Sequence, residues 1–182
     1  MKESCRPGRN CLSPPLSAWC VLLFFLLAGT WLHAKGAFTW DEAFALIEAK
    51  FPDVPTIDVP TFQKWRKEDP HLLLIDVRKT KEFQISRIPG AVNETRLSKI
   101  RDLIQDPDNK AILYCSVGYR SARLVEKLKA KGFRQVYNLK GSIFEWANQG
   151  NRLVNNSGET VYVHPYHARW GQLLDVDRHP PD

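Results

Sequence analysis

The sequence predicts an α/β domain built on a mostly parallel sheet. Two observations carry that expectation. Short, continuous apolar runs, Leu72-Leu73-Leu74-Ile75 and Ala111-Ile112-Leu113-Tyr114, have the length and uniformity of strands covered on both faces. Segments with helical periodicity lie between and after them, so strands and helices alternate along the chain. In such folds ligands gather at the carboxyl ends of the strands. Asp76 and Cys115 stand at two of those ends.

The elements follow in order. Thr39 is a cap candidate with Asp41 and Glu42 in the turn after it, which starts a helix running to Lys50 with Phe44, Ile47 and Phe51 on one face. Pro52, Pro55 and Pro60 interrupt the chain beyond. Ile57-Asp58-Val59 reads as a short strand, and residues 61–67 as a short helix carrying Phe62 and Trp65. The strand at 72–75 is closed by Asp76-Val77-Arg78, and one helical turn is expected over 79–83. Ile88-Pro89-Gly90-Ala91-Val92-Asn93 gives a turn and a short strand. A helix over 97–104 ends at Asp106-Pro107, and the strand 111–114 leads into the cysteine loop. A helix over 121–131 ends at Gly132, a strand is expected over 135–139, and Gly141-Ser142 opens a last helix through Asn148.

The chain has 182 residues, enough for one domain and a targeting segment. At 43% hydrophobic and 25% charged, its composition excludes a largely disordered chain. Net charge is +6; the first 34 residues hold Lys2, Arg6 and Arg9 against Glu3, which leaves +4 for the rest. Those charges are scattered, so the concentrated basic stripe of a nucleic-acid-binding protein is missing and no nucleic-acid partner is expected. A mild positive balance suits a small anionic ligand.

Residues 1–34 read as an export signal: a basic start, the uncharged run Ala18-Trp19-Cys20-Val21-Leu22-Leu23-Phe24-Phe25-Leu26-Leu27-Ala28-Gly29, then Ala34, Gly36 and Ala37 near a cleavage point. The expected location is therefore periplasmic or secreted. The alternative is an uncleaved anchor over residues 16–32, at the short edge of a spanning helix, and membrane contact is expected only in that case. Cys5, Cys11 and Cys20 fall inside the segment, leaving Cys115 as the one cysteine of the remaining chain. A lone cysteine in an exported domain is a reactive thiol, an intermolecular bridge or an inert core residue.

Its neighbours favour reactivity. Cys115 lies in Tyr114-Cys115-Ser116-Val117-Gly118-Tyr119-Arg120-Ser121, between a strand and a helix start. A strand–loop–helix turn gathers backbone N–H groups, the positive end of a helix and a guanidinium around one sulfur, all of which favour an anion. A thiol placed there ionises easily and acts as a nucleophile.

These residues also carry a resemblance. Leu74-Ile75-Asp76-Val77-Arg78, Glu82-Phe83, Ile88-Pro89-Gly90-Ala91-Val92-Asn93, the cysteine loop, Gly132-Phe133, and Gly141-Ser142-Ile143 with Trp146, in that order, resemble a rhodanese domain over residues 59–150. Many relatives have Gly-His before Ile-Pro-Gly where this chain has Ser86-Arg87. The resemblance implies a rhodanese-like α/β fold with a roughly five-stranded, mostly parallel sheet flanked by helices. Residues 35–58 would then be an N-terminal helical extension, and 151–182 a tail packed on the domain through Tyr162, Tyr166, Trp170 and Leu173.

The resemblance further implies a sulfurtransferase of the thiosulfate type, with Cys115 as catalytic nucleophile holding a persulfide. Ser116, Val117, Gly118, Tyr119, Arg120 and Ser121 would bind the substrate. Its partners would be a small anionic sulfur donor and a thiol acceptor, with no metal and no organic cofactor. In the wider superfamily a four-residue spacer between cysteine and arginine is typical of sulfur transfer and a five-residue one of phosphatases and arsenate reductases. Ser116 to Tyr119 make four.

Asp76 and Arg78 are read as structural support near the site, Arg78 being four residues from a partner in Glu82. His164, His167 and His179 in the tail are a weak metal signal, set aside for want of a fuller ligand group. A non-catalytic binding module and a thiol redox sensor are the alternative functions. Asn93-Glu94-Thr95 and Asn155-Asn156-Ser157 fit the glycosylation pattern.

Overall fold

Five strands form one all-parallel sheet in the order β1-β5-β4-β2-β3, in a computed structural model that describes residues 36–181. The strands are β1 (Thr56–Ile57), β2 (Leu73–Asp76), β3 (Val92–Asn93), β4 (Ala111–Tyr114) and β5 (Val136–Leu139). The segment read as an export signal or anchor lies outside the described residues. Among those described, no helix is long and apolar enough to cross a membrane.

The central strands are apolar throughout because both faces are covered. Ala111, Leu113 and Cys115 face one cluster, with Ile100 and Ile104 of α4 (Leu97–Ile104) and Val125 and Leu128 of α5 (Tyr119–Lys129). Ile112 and Tyr114 face the other. It includes Ala43 and Ile47 of α1 (Trp40–Lys50), Phe62 of α2 (Val59–Glu68), and Ile143 and Phe144 of α6 (Ser142–Asn148). The alternation of period two thus feeds two apolar layers from one strand.

Local chemistry sets the boundaries. α1 opens on a capping box: Glu42 N–H donates to Thr39 Oγ1 at 3.3 Å, and Thr39 N–H donates to Glu42 Oε2 at 2.8 Å. The strand expected over 57–59 is shifted. Asp58 leaves the sheet to cap α2, accepting from Thr61 N–H at 2.9 Å, and Pro60 sits in the first turn, where its missing N–H leaves nothing unpaired. β1 pairs with β5 (Thr56 opposite Asn138), so the extension before residue 59, expected to be helical, also supplies an edge strand of the sheet.

Asn93 of β3 donates to Asp76 O at 2.9 Å and to Arg78 O at 2.8 Å. Its amide is therefore engaged in joining β3 to the end of β2 and is not presented as a free glycosylation acceptor. Beyond residue 150, where the sequence predicts only a packed tail, the chain makes a hairpin, β6 (Leu153–Asn155) and β7 (Gly158–Thr160). Arg87 and Val154 exchange backbone bonds at 2.8 and 3.0 Å, fixing the hairpin to the end of α3 (Thr80–Ile85). Val163, Leu173 and Leu174 are buried, and α7 (Ala168–Gly171) lies between them. Phe38 N–H donates to Gln172 Oε1 at 2.8 Å, and the Phe38 ring meets Trp170 edge-on at 5.0 Å.

Candidate active site

Cys115 follows the last residue of β4, and the chain must turn sharply there to enter α5. Gly118 makes the turn at φ +111°, a region that side chains resist, and is the N-cap of α5. The helix starts at Tyr119, two residues earlier than expected, so Tyr119, Arg120 and Ser121 belong to its first turn rather than to a loop.

The sulfur of Cys115 accepts from Gly118 N–H at 3.2 Å, and Ser121 Oγ lies 3.5 Å away. Burial pushes the thiol up. The Arg120 guanidinium, Ser121 and the Gly118 N–H outweigh that and hold it below the ordinary thiol value. The backbone of the loop is gripped from behind. Cys115 N–H donates to Ser142 Oγ at 3.1 Å, and the N–H groups of Ile143 and Phe144 donate to the carbonyls of Cys115 and Ser116 at 3.2 and 3.1 Å. Ser142 adopts φ +51° to do this. The start of α6 thus fixes the loop, a role that its sequence does not announce.

Arg120 is held in a fork. Its Nη1 and Nη2 donate to Glu82 Oε2 and Oε1 at 3.0 and 2.8 Å, and Nη2 also reaches Ser116 Oγ at 3.0 Å. Glu82 is buried, yet its carboxyl lies below the usual range: burial raises it, but the Arg120 bonds and charge and the Lys79 N–H outweigh the burial. This corrects the expected Arg78–Glu82 pair. Arg78 instead binds Asp76, with Nη2 to Oδ2 at 2.6 Å and Nε to Oδ1 at 3.0 Å, both side chains fully buried. The pair stands at the end of β2, one strand over from the cysteine.

A cavity of about 340 Å³ opens over the sulfur, lined by Leu46, Cys115, Ser116, Val117, Tyr119, Arg120, Tyr166 and Trp170. Cys115 is its floor. Leu46 comes from α1, and Tyr166 and Trp170 from the C-terminal segment. The Tyr166 ring lies against the Arg120 guanidinium at 4.5 Å. Of the residues expected at the site, Cys115, Ser116, Val117, Tyr119 and Arg120 line this cavity, while Gly118 and Ser121 act from beneath on the sulfur. Glu82, Tyr166 and Leu46 were not foreseen there. Among the described residues no group of three metal-ligating side chains comes together.

A family model for the rhodanese-like domain matches residues 58–149. The chain belongs to the rhodanese-like domain family. It is 30% identical to a sulfurtransferase of Allochromatium vinosum over 106 residues, 58% of this chain and 99% of that protein. It is 35% identical over 97 residues to the probable adenylyltransferase/sulfurtransferase MoeZ of Mycobacterium tuberculosis, covering 52% of this chain but only 25% of that protein. Thiosulfate sulfurtransferase from Pseudomonas aeruginosa shares the fold with a TM-score of 0.55 at 22% identity, over 65% of this chain and 23% of that one. The five-stranded sheet flanked by helices is the rhodanese-like arrangement. The Leu46, Tyr166 and Trp170 walls lie outside the segment that the family pattern covers.

Proposed function

We propose that this rhodanese-like protein moves sulfane sulfur from a small donor, of which thiosulfate is the simplest, to a thiol or other thiophilic acceptor through a persulfide on Cys115. The observation that carries the reading is a buried thiol held toward its ionised form by a guanidinium and an N–H at a helix start. The Cys115 thiolate attacks the outer sulfur of thiosulfate, the sulfur–sulfur bond breaks, and sulfite leaves with the electron pair. The acceptor then attacks the outer sulfur of the persulfide and Cys115 leaves as thiolate. The Gly118 N–H and Ser121 hydroxyl are aimed at the sulfur that carries charge at both stages. Ser116 and Arg120 face the cavity that receives the donor. None of these steps requires a metal or an organic cofactor.

The test is transfer of sulfur from thiosulfate to cyanide by the full chain beside its Cys115→Ser variant. Turnover lost in the variant, with a sulfur-mass increment on Cys115 of the parent, is the expected result; equal turnover in the variant refutes it. Export rests on the N-terminal sequence, its basic start, apolar run and the small residues Ala34, Gly36 and Ala37. It predicts that protein recovered from the source cell begins near Lys35, which N-terminal sequencing checks.

A further inference from the structure

Resting on the sulfurtransferase reading, we propose that the sulfur donor of this site is an organic compound with an apolar, ring-sized body and at most one negative charge, and that thiosulfate is a poor substitute. The charge of the cavity points that way. Arg120 is the one cation on its wall, and both of its terminal nitrogens already bind the Glu82 carboxylate. Arg78, buried at the end of β2, is engaged with Asp76. A thiosulfate dianion entering above the Cys115 thiolate therefore meets, besides the N–H and hydroxyl groups already turned to the sulfur, no cation on the cavity wall that lacks a carboxylate partner, so its second charge goes unmatched.

The walls point the same way. Leu46, Tyr119, Tyr166 and Trp170 surround the approach to the sulfur with apolar and aromatic surface. The volume, about 340 Å³, exceeds the roughly 150 Å³ that suffices to hold benzene in an apolar protein cavity. Tyr166 adopts φ +67°, a conformation side chains rarely take, and in it the ring rests on Arg120 and faces the cavity. Fit to an aromatic body is the property such walls supply.

Chemically the step is unchanged. With an arenethiosulfonate, the Cys115 thiolate attacks the terminal sulfur, the bond from that sulfur to the sulfonyl sulfur breaks, and an arenesulfinate leaves with the electron pair. One negative charge enters with the donor and one departs with the sulfinate.

Three donors separate charge from body: thiosulfate (two charges, no body), methanethiosulfonate (one charge, small body) and benzenethiosulfonate (one charge, ring). Each kcat/KM is measured on the full chain with cyanide as acceptor and divided by that donor's rate with free cysteine, which removes intrinsic reactivity. The expected order is benzenethiosulfonate over methanethiosulfonate by about tenfold, the scale on which an apolar pocket discriminates added carbon, and methanethiosulfonate over thiosulfate by a similar factor. Tyr166→Ala, at a half-exposed position away from the core, should collapse the first ratio several-fold. Glu82→Gln should raise thiosulfate relative to both others by releasing the charge of Arg120.

A normalised preference for thiosulfate, or a benzene-to-methane ratio of one that Tyr166→Ala leaves unchanged, overturns the proposal while leaving the sulfurtransferase reading intact. Absence of a persulfide on Cys115 with all three donors overturns both.

Discussion

Replacing Asp76 with asparagine should destabilise the protein by about 3–5 kcal/mol, because it strands a cation where water cannot reach. The magnitude follows from the contacts. Asp76 receives Arg78 Nε at 3.0 Å, Arg78 Nη2 at 2.6 Å and Arg78 N–H at 2.9 Å, and both side chains have no exposed surface. Apart from the pair, the guanidinium has the Ser86 carbonyl at 2.6 Å and the Tyr114 ring at 5.8 Å, while Nη1 has no partner among the described residues. At an effective dielectric near 20, charges about 4 Å apart attract by about 4 kcal/mol, in line with the expected loss. An asparagine amide of the same shape returns little of it. Urea unfolding is the assay: with a slope of about 2 kcal/mol per molar, the midpoint should fall by about 2 M. The double variant Asp76→Asn/Arg78→Met should recover much of that loss, since an apolar side chain of similar length leaves no buried charge. A single-variant loss under about 1 kcal/mol, or a double variant weaker than the single, would refute the reasoning and reopen a catalytic part for the pair.

Three further outcomes are expected. Gly118→Ala meets nothing nearer than Asn138 Nδ2 at 3.4 Å, so crowding is minor; the φ of +111° should cost about 1–3 kcal/mol and misdirect the N–H on the sulfur, seen as lower Tm and lower kcat with KM little changed. Cys115 is held below its ordinary value, so its contribution is present above the unfolded thiol's titration and lost as pH falls through the folded one. Alkylation rates should accordingly stay high below pH 9.0, and Arg120→Met should move the acid limb upward; a limb that does not move contradicts the assigned cause. Asn93→Ala removes both side-chain bonds from β3 to the chain at the end of β2, leaving the backbone pairing, and should lower stability by about 2 kcal/mol, about 4–8 °C in Tm, by calorimetry.

The parts of the molecule that follow from local rules were legible in the sequence. Continuous apolar runs gave β2 and β4, Thr39 with Glu42 gave the start of α1, and the chain between Tyr114 and Ser121 gave the cysteine turn. What was hidden depends on residues far apart along the chain. Glu82 finds Arg120 thirty-eight positions on, whereas its spacing suggested Arg78 four positions back. Arg78 turned instead to Asp76, two residues away, because both point into the same buried space. Ser142 reaches Cys115 across twenty-seven positions by a positive φ that no composition rule announces. The hairpin after residue 150 escaped because its strands are three residues each, too short for a period to register. The sequence predicts for Tyr166 only packing on the domain. That its contact is with the arginine above the sulfur emerges only once the tail has folded back.

The two ends of the described chain meet: Phe38 touches Trp170 and Gln172, and Leu46 shares the wall of the cysteine cavity with Tyr166 and Trp170. The shared core between them holds the cradle, and the flanks hold the doorway. Inheritance can therefore act on the two separately. On the proposed reading, exposed changes at either end, such as at Tyr166, would alter what reaches the sulfur while leaving the turn between Cys115 and Ser121 in place. A piece trimmed to the family's common boundaries would lose β1, α1 and three walls of the cavity together, so its behaviour toward donors would not stand for that of the full chain.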